Sequence, residues 1–306
     1  MSRPLKVGVQ LPEVEREVRW DEILDMARAI EGLGYDSLWL GEHLLYRWPD
    51  RNPRGPWEAW AILAALAAVT TRLELGPLVA CTAFHNPAIL AKRADAIDEI
   101  SGGRLILGLG AGWNETEFRA FGIPFDHRID RFEEAFTIIR SLLRDGAVDF
   151  EGTYYSARDC ELLPRGPRPG GPPLMIGSTG PRMLRITMPH VDSWNAWYAD
   201  TQNSPAGVEA LRATVDAACA EVGRDPGAVE RTVAVYVQLP GGTGRTMGDD
   251  TVGQAVQPLT GSAEEMAEEL RDYAAAGIGH VQLVIDPITR ESIEGFARVL
   301  QLLDND

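Results

Sequence analysis

Two rhythms of apolar positions alternate along the chain. Short continuous apolar runs are followed by stretches in which apolar residues recur every third or fourth position. These are the marks of a buried strand and of a helix with one buried face. Lys6–Leu11 (KVGVQL) is the first run, closed by Pro12. Trp20–Leu33 is the first helix, with Ile23, Leu24, Ala27 and Ile30 on one face and Gly32 and Gly34 at its end. The pattern then predicts strands at Tyr35–Leu40, Leu73–Ala80, Leu105–Leu109, Leu174–Ile176, Val191–Ala196, Arg231–Leu239 and His280–Ile285. Helices are predicted over Trp57–Val69, Pro87–Ile100, Asn114–Phe121, Arg128–Leu143, Pro181–Met188, Val208–Val222, Ala263–Ala275 and Glu291–Leu302. Pro87 suits a first helical turn. Ser262 suits an N-cap, with Glu264 and Glu265 at the positive end of the helix dipole.

Strands that alternate with helices imply a parallel sheet. Eight such units in 306 residues fit a closed barrel better than an open sheet. The expected fold class is therefore α/β, a (β/α)8 TIM barrel with insertions, formed by one domain over residues 1–306. Asp145–Pro173, rich in Pro, Gly and Arg, and Pro240–Thr260 are too long to be plain connections. They mark insertion segments at about 145–173 and 240–260.

Composition narrows the function classes. Lys plus Arg is 29 and Asp plus Glu is 45, so the net charge is 29 − 45 = −16. Such a chain is read as having no nucleic-acid partner. Cys81, Cys160 and Cys219 are an odd number and widely spaced, which suggests neither disulfides nor a zinc site. The N-terminus has no signal pattern, and the apolar run at 59–69 is too short to span a bilayer. A cytoplasmic protein without a membrane partner is the expectation.

In a parallel barrel, chemistry sits at the C-terminal ends of the strands. The second strand ends in LWLGEHLLYR, which places Glu42 and His43 there. His43 could donate a proton, bond a cofactor ring or hold a metal, and an ordinary loop histidine fits the same pattern. Pro77 disturbs the third strand, and the small residues Ala80, Cys81, Thr82 and Ala83 allow a flat ligand to come close. The fourth strand runs into Gly108, Gly110 and Gly112 before a helix start. A dinucleotide fingerprint would need glycine at Trp113, so this is read as an anion or cofactor seat instead. Ser178, Thr179 and Gly180 form a second strand–turn–helix unit of the same kind, in which Ser178 or Thr179 could equally be a helix cap. Arg128 and Arg131 are expected in helix-face ion pairs with Asp130 or Glu134, Trp194 and Trp197 along a cavity wall, and His85 and His190 in structural bonds. No H-E-x-x-H, P-loop, G-x-S-x-G or Cys-rich metal motif occurs. A chain with cofactor seats and few catalytic groups implies that a bound cofactor carries the chemistry.

The stretch SGGRLILGLGAGWNETEFRAFGIPFDHRIDRFEEAFTIIRSLL, residues 101–143, closely resembles the central signature of the luciferase-like monooxygenase superfamily. LWLGEHLLYR, FHNPAILAKRADAIDEISGGR, MIGSTGPRMLRI and GSAEEMAEELRDYAAAGIGHVQLVI resemble further family segments in the same order. Members use FMN or the deazaflavin coenzyme F420, and the pattern here is more similar to the F420-dependent branch. That resemblance implies hydride transfer to or from a small organic substrate. Its alternatives are an FMN-dependent two-component monooxygenase and a flavin-binding barrel without catalysis. An open cavity lined by Trp39, Trp113 and Trp194 would speak against the last. It also implies a bulge with a non-proline cis peptide at Leu78–Val79, with Ala80 and Cys81 beside the ring. Phosphate-contacting turns would fall at Gly110–Ala111–Gly112 and Thr179–Gly180, with Trp113 adjoining. His43 matches the branch's active-site histidine, preceded by Glu42 where Asp is frequent. A glutamate proposed as proton donor in the branch's sugar-phosphate dehydrogenases falls near Trp113, and their tryptophan four residues past the histidine is Arg47. A sugar-phosphate substrate is thereby put in doubt. Homodimers are common in the family and are expected here.

Overall fold

The computed structural model describes residues 3–48, 51–245 and 256–305. In chain order its elements are β1 (Lys6–Gln10), α1 (Trp20–Gly32), β2 (Ser37–Leu40), β3 (Tyr46–Trp48), β4 (Arg51–Arg54), α2 (Ala59–Val69), β5 (Glu74–Pro77), β6 (Ala80–Cys81), α3 (Pro87–Ser101), β7 (Leu107–Gly110), α4 (Glu115–Ala120) and α5 (Arg128–Asp145). There follow β8 (Ala147–Glu151), β9 (Ser156–Glu161), β10 (Leu174–Gly177), α6 (Pro181–Thr187), β11 (Ser193–Ala196), α7 (Pro205–Glu221), β12 (Glu230–Gln238), α8 (Ala263–Ala275), β13 (His280–Asp286) and α9 (Arg290–Leu303).

Parallel strands run in the order β5-β2-β1-β13-β12-β11-β10-β7-β6. β5 and β6 are two pieces of one stave, so the barrel has the expected eight. β5 pairs with β2 through Leu38 and Leu75, and β6 pairs with β7 through Ala80 and Leu109. A parallel bridge between Leu75 and Leu105 closes the ring, with Ile106 N–H donating to Leu75 O at 2.9 Å. The peptide between the two pieces, Leu78–Val79, is cis, at the place the family resemblance implies.

The main core lies between barrel and helices. Val7, Val9, Leu38, Leu75, Leu107 and Leu283 point outward into it. Helices meet them with faces of the i, i+3, i+4, i+7 kind: Ile293, Phe296, Ala297 and Leu300 of α9 are buried. Asn86 caps α3 through the N–H groups of Ala88 and Ile89. Ser262 and Glu265 form a capping box on α8, as the sequence predicts for Ser262.

Inside the barrel, Trp39 is a plug and not a cavity wall. It is fully buried, and Gly8 and Gly76 make room for it: a Cβ at Gly8 would lie 2.8 Å from its Nε1, and one at Gly76 would lie 3.1 Å from Cζ3. Its Nε1–H donates to Ser37 Oγ at 2.7 Å, and that hydroxyl is hydrogen-bonded to His280 Nε2 at 2.7 Å. Burial, helped by Lys6, pushes the His280 pKa down to about 3.

Two hairpins leave no mark in the apolar pattern. β3 and β4 pair antiparallel in the loop after His43. β8 and β9 do so within 145–173, which is therefore not a plain loop. β3 and β4 are too short for a periodic signal, and the alternation of β8, with Val148 and Phe150 half-buried and Asp149 and Glu151 exposed, spans only a few residues. Within the other insertion, residues 246–255 lie outside the described residues.

Candidate functional site

A cavity of about 450 Å³ opens at the C-terminal ends of the strands. Of the candidate residues, Glu42 and His43 after β2, Leu78, Val79, Ala80 and Cys81 on the broken stave, Gly110, Ala111, Gly112 and Trp113 after β7, and Ser178 and Thr179 after β10 line it, while Thr82, Ala83, Gly108 and Gly180 do not. Gly180 is instead the N-cap of α6.

Glycines shape one wall by admitting a side chain. A Cβ at Gly110 would lie 2.9 Å from Val79 Cγ2, and one at Gly177 would lie 3.1 Å from Val79 Cγ1. At Gly108 a Cβ would meet Val79 Cγ1 at 2.9 Å and the Pro77 carbonyl oxygen at 2.3 Å. Val79 thus packs into a recess made by three glycines. Gly108 and Gly110, which the sequence suggests as parts of an anion seat, serve this close approach. Gly112 is different: its φ is +77°, and a Cβ would lie 2.5 Å from Cys81 Sγ.

Glu42 holds the broken stave in place. Its Oε1 accepts from Trp60 Nε1 at 2.6 Å and His85 Nε2 at 2.7 Å, and its Oε2 accepts from the backbone N–H of Cys81 at 2.7 Å. His85 in turn accepts at Nδ1 from Arg93 at 3.2 Å, which makes it the structural histidine expected. Burial and the Glu42 charge push the Cys81 thiol up, so it stays protonated.

His43 lies between two carboxylates. Its Nδ1 is 2.9 Å from Glu117 Oε1, while Glu117 Oε2 accepts from Leu44 N–H at 2.8 Å. An ionised carboxylate only accepts, so the Nδ1 nitrogen carries a proton. On the other side His43 Nε2 is 3.6 Å from Glu13 Oε1. Burial works to lower the His43 pKa, but the Glu13 charge, the Glu117 hydrogen bond and charge, and the Glu42 charge overcome it, so the pKa is raised. Glu13 also accepts from Tyr46 Oη at 3.0 Å and Gln10 Nε2 at 2.9 Å, and pairs with Arg245 Nη2 at 3.2 Å. Burial, then Glu13 and Glu117, raise the Tyr46 pKa well above its ordinary value.

The luciferase-like monooxygenase family model matches residues 6–240. The chain belongs to this family. It is 30% identical over 230 residues to the 5,10-methylenetetrahydromethanopterin reductase of Archaeoglobus fulgidus, covering 75% of this chain and 63% of the relative, so it spans less than two thirds of that protein. It is 27% identical over 258 residues to the pyrimidine monooxygenase of Cronobacter sakazakii, covering 81% of this chain and 74% of that one. An F420-dependent glucose-6-phosphate dehydrogenase of Intrasporangium calvum is 34% identical over 170 residues, which is 54% of this chain and 50% of the relative. Among solved structures, an F420-dependent secondary alcohol dehydrogenase in complex with an F420–acetone adduct matches with a TM-score of 0.80 at 22% identity over 99% of both chains. Riboflavin lyase matches with a TM-score of 0.82 at 16% identity, over 98% of this chain and 91% of that one. At such identities the structures speak to the fold alone.

In this member of the luciferase-like family, several groups at the cavity carry no sequence signal of their own. Glu13 follows β1, and Glu117 looks like an ordinary charge on an amphipathic helix; only the fold turns both toward His43. Arg128 is not in a helix-face ion pair. Its Nη1 donates to Gly112 O at 2.5 Å, its guanidinium lies 4.3 Å from the Phe125 ring, and it lines the cavity. Arg131 pairs with Asp126 and covers Tyr154, and Glu134 instead accepts from Thr153, Tyr154 and Tyr155 N–H. Trp197 lines the cavity, but Trp194 is buried and donates from Nε1 to Ser178 O at 2.8 Å, which fixes the turn before α6. No side chain caps the first turn of α6, though Ser178 Oγ accepts from the N–H of Gly180 at 3.4 Å. Among the described residues no helix is long and apolar enough to cross a membrane.

Proposed function

We propose that this protein is an F420-dependent oxidoreductase that moves a hydride to or from a small organic substrate. The observation that carries the reading is the pairing of a smooth wall, Val79 set among glycines, with the histidine–carboxylate pair of His43 and Glu117 on the same cavity. A flat heterocycle fits against such a wall. Gln10 Oε1 is buried at this cavity with no partner, and an N–H of a bound pyrimidine-type ring would satisfy it. Arg128, the turn at Gly110–Ala111–Gly112 and the uncapped start of α6 at Ser178–Thr179–Gly180 suit an anionic tail. The bound deazaflavin supplies a two-electron hydride carrier.

The chain's own residues supply the rest. Glu117 holds Nδ1–H, so Nε2 is the atom that exchanges a proton with the substrate. With its pKa raised, His43 keeps that proton to higher pH than a free imidazole does. Glu42 is assigned a positioning role, because both of its oxygens already bind donors of the surrounding fold. Trp113 and Trp197 bound the open side and limit water.

The pyrimidine monooxygenase relative favours a second reading, an FMN-dependent monooxygenase on the same seats. A non-catalytic flavin barrel is disfavoured by the cost of burying Glu13, Glu117 and His43 together at a cavity wall. The test is a substrate screen followed by F420 absorbance and fluorescence. Turnover of alcohols with F420, or of carbonyl and enone compounds with its reduced form, is expected. Oxygen-dependent turnover with reduced FMN alone would move the second reading to first place. Cofactor binding without any turnover would favour the third.

We also infer a homodimer. Helix α2, AWAILAALAAV, has no charged residue on any face, and Val69 at its end is exposed. Sedimentation of the wild type should show a dimer, and Ala68→Glu should shift it toward monomer. A monomeric wild type would refute this.

A further inference from the structure

The insertion after β12 reaches back into the site through one side chain. Arg245 and Glu13 are each only 2% exposed at their side chains, and they pair at 3.2 Å. The same guanidinium binds Glu15 through Nε at 2.6 Å and lies 5.3 Å from the ring of Trp197, which lines the cavity. Glu13 therefore has a cation on one side and the His43 imidazole, 3.6 Å from Oε1, on the other.

We propose that Arg245 is a positioning residue that acts on His43 through Glu13, fixing where that carboxylate lies and how much of its charge the imidazole feels. Three elements far apart in sequence meet in this arrangement. The β1–α1 connection carries Glu13, the end of β2 carries His43, and the insertion carries Arg245. The other groups facing His43 are Glu117 from α4, Glu42 from the end of β2, the ring of Tyr46 from β3 at 4.8 Å, which also bonds Glu13, and the ring of Trp113 at 5.6 Å. Of these, Tyr46 also feels the Arg245 charge directly. Buried charges at such separations interact strongly because little water screens them. The guanidinium absorbs part of the Glu13 field, and without it His43 would sit beside an unshared carboxylate and hold its proton more tightly. The segment that carries Arg245 thereby contributes to the proton affinity of the reacting group.

This inference builds on the assignment of His43 as the proton-handling group, so the test reads the imidazole itself. With five histidines in the chain, His43 can be assigned by comparison with His43→Gln in NMR spectra of 15N-histidine-labelled full-length protein. Arg245→Met should raise the His43 pKa by on the order of one pH unit. Glu13→Gln should lower it. In the Glu13→Gln background, Arg245→Met should produce less than half of its wild-type shift. Arg245→Lys, which keeps a cation, should return the value toward wild type and guards against simple loss of fold. No shift, a downward shift, or equal shifts in both backgrounds would overturn the proposal. In an F420 assay the pH profile should move with the imidazole. If F420 does not bind but the NMR cycle behaves as stated, the cofactor reading fails and this inference stands.

Discussion

Glu117 holds both the ring and the main chain of the segment it faces. One carboxylate oxygen lies 2.9 Å from His43 Nδ1, and the other accepts the N–H of Leu44 at 2.8 Å. The ring and the backbone beside it are thus fixed by one group that is itself buried on α4. Glu117→Gln keeps the shape and an acceptor but removes the charge. The His43 pKa should fall, because one of the carboxylates raising it is gone. Turnover should fall roughly 10-fold to 100-fold, with cofactor affinity little changed. An unchanged imidazole titration would show that the pair does not tune the ring.

His43 itself gives a sharper outcome. His43→Ala should reduce kcat by about 10²–10⁴-fold, the usual worth of a positioned acid or base, with the cofactor Kd within a few-fold of wild type. Rapid-quench or steady-state kinetics together with a binding titration separate the two effects. Full turnover in the variant would remove His43 from the reaction.

The glycine recess around Val79 makes two substitutions differ. A Cβ on Gly110 meets Val79 Cγ2 at 2.9 Å and nothing else closer than 3.9 Å. On Gly108 it also meets the Pro77 carbonyl oxygen at 2.3 Å, a backbone atom that cannot move aside. Gly110→Ala should cost about 1–3 kcal/mol in stability and recover largely when combined with Val79→Ala. Gly108→Ala should not recover. Equal behaviour of the two pairs in thermal melts would contradict the packing described.

His280 predicts an acid limit. Its folded pKa of about 3 lies below the ordinary 6.5, so the unfolded chain binds this proton first as pH falls. Stability should therefore be complete above about pH 6.5 and decline from there toward pH 3, at up to about 1.4 kcal/mol per pH unit from this group. His43 has the opposite sign: its raised pKa adds stability below about pH 6.5 that is lost as pH rises through the folded value. Urea melts of His280→Gln across pH 4–7 should show a flatter acid limb than wild type. An identical limb would mean that other groups set it.

Alternation of buried runs and amphipathic helices is enough to read the barrel, because each strand of a parallel sheet leaves its own apolar run. The positions of His43, Val79 and the two turns follow from strand ends and the family signature. Glu13, Glu117 and Arg128 are hidden, since each is a charged residue where charge is unremarkable, and only closure of the ring brings them to the cavity. Trp39 and Trp194 mislead for the converse reason: a tryptophan near a strand end looks like a wall until glycine neighbours, for Trp39, or full burial with a bond to the Ser178 carbonyl, for Trp194, reveal it as filling. The small hairpins after His43 and within 145–173 are too short for their apolar positions to stand out.

The most direct measurement is a paired titration of the purified protein with F420 and with FMN, followed by cofactor fluorescence. The account predicts saturable quenching of F420 at one equivalent per chain and weak FMN binding, with Val79→Trp abolishing the former. Tight FMN binding with no response to F420 would contradict it.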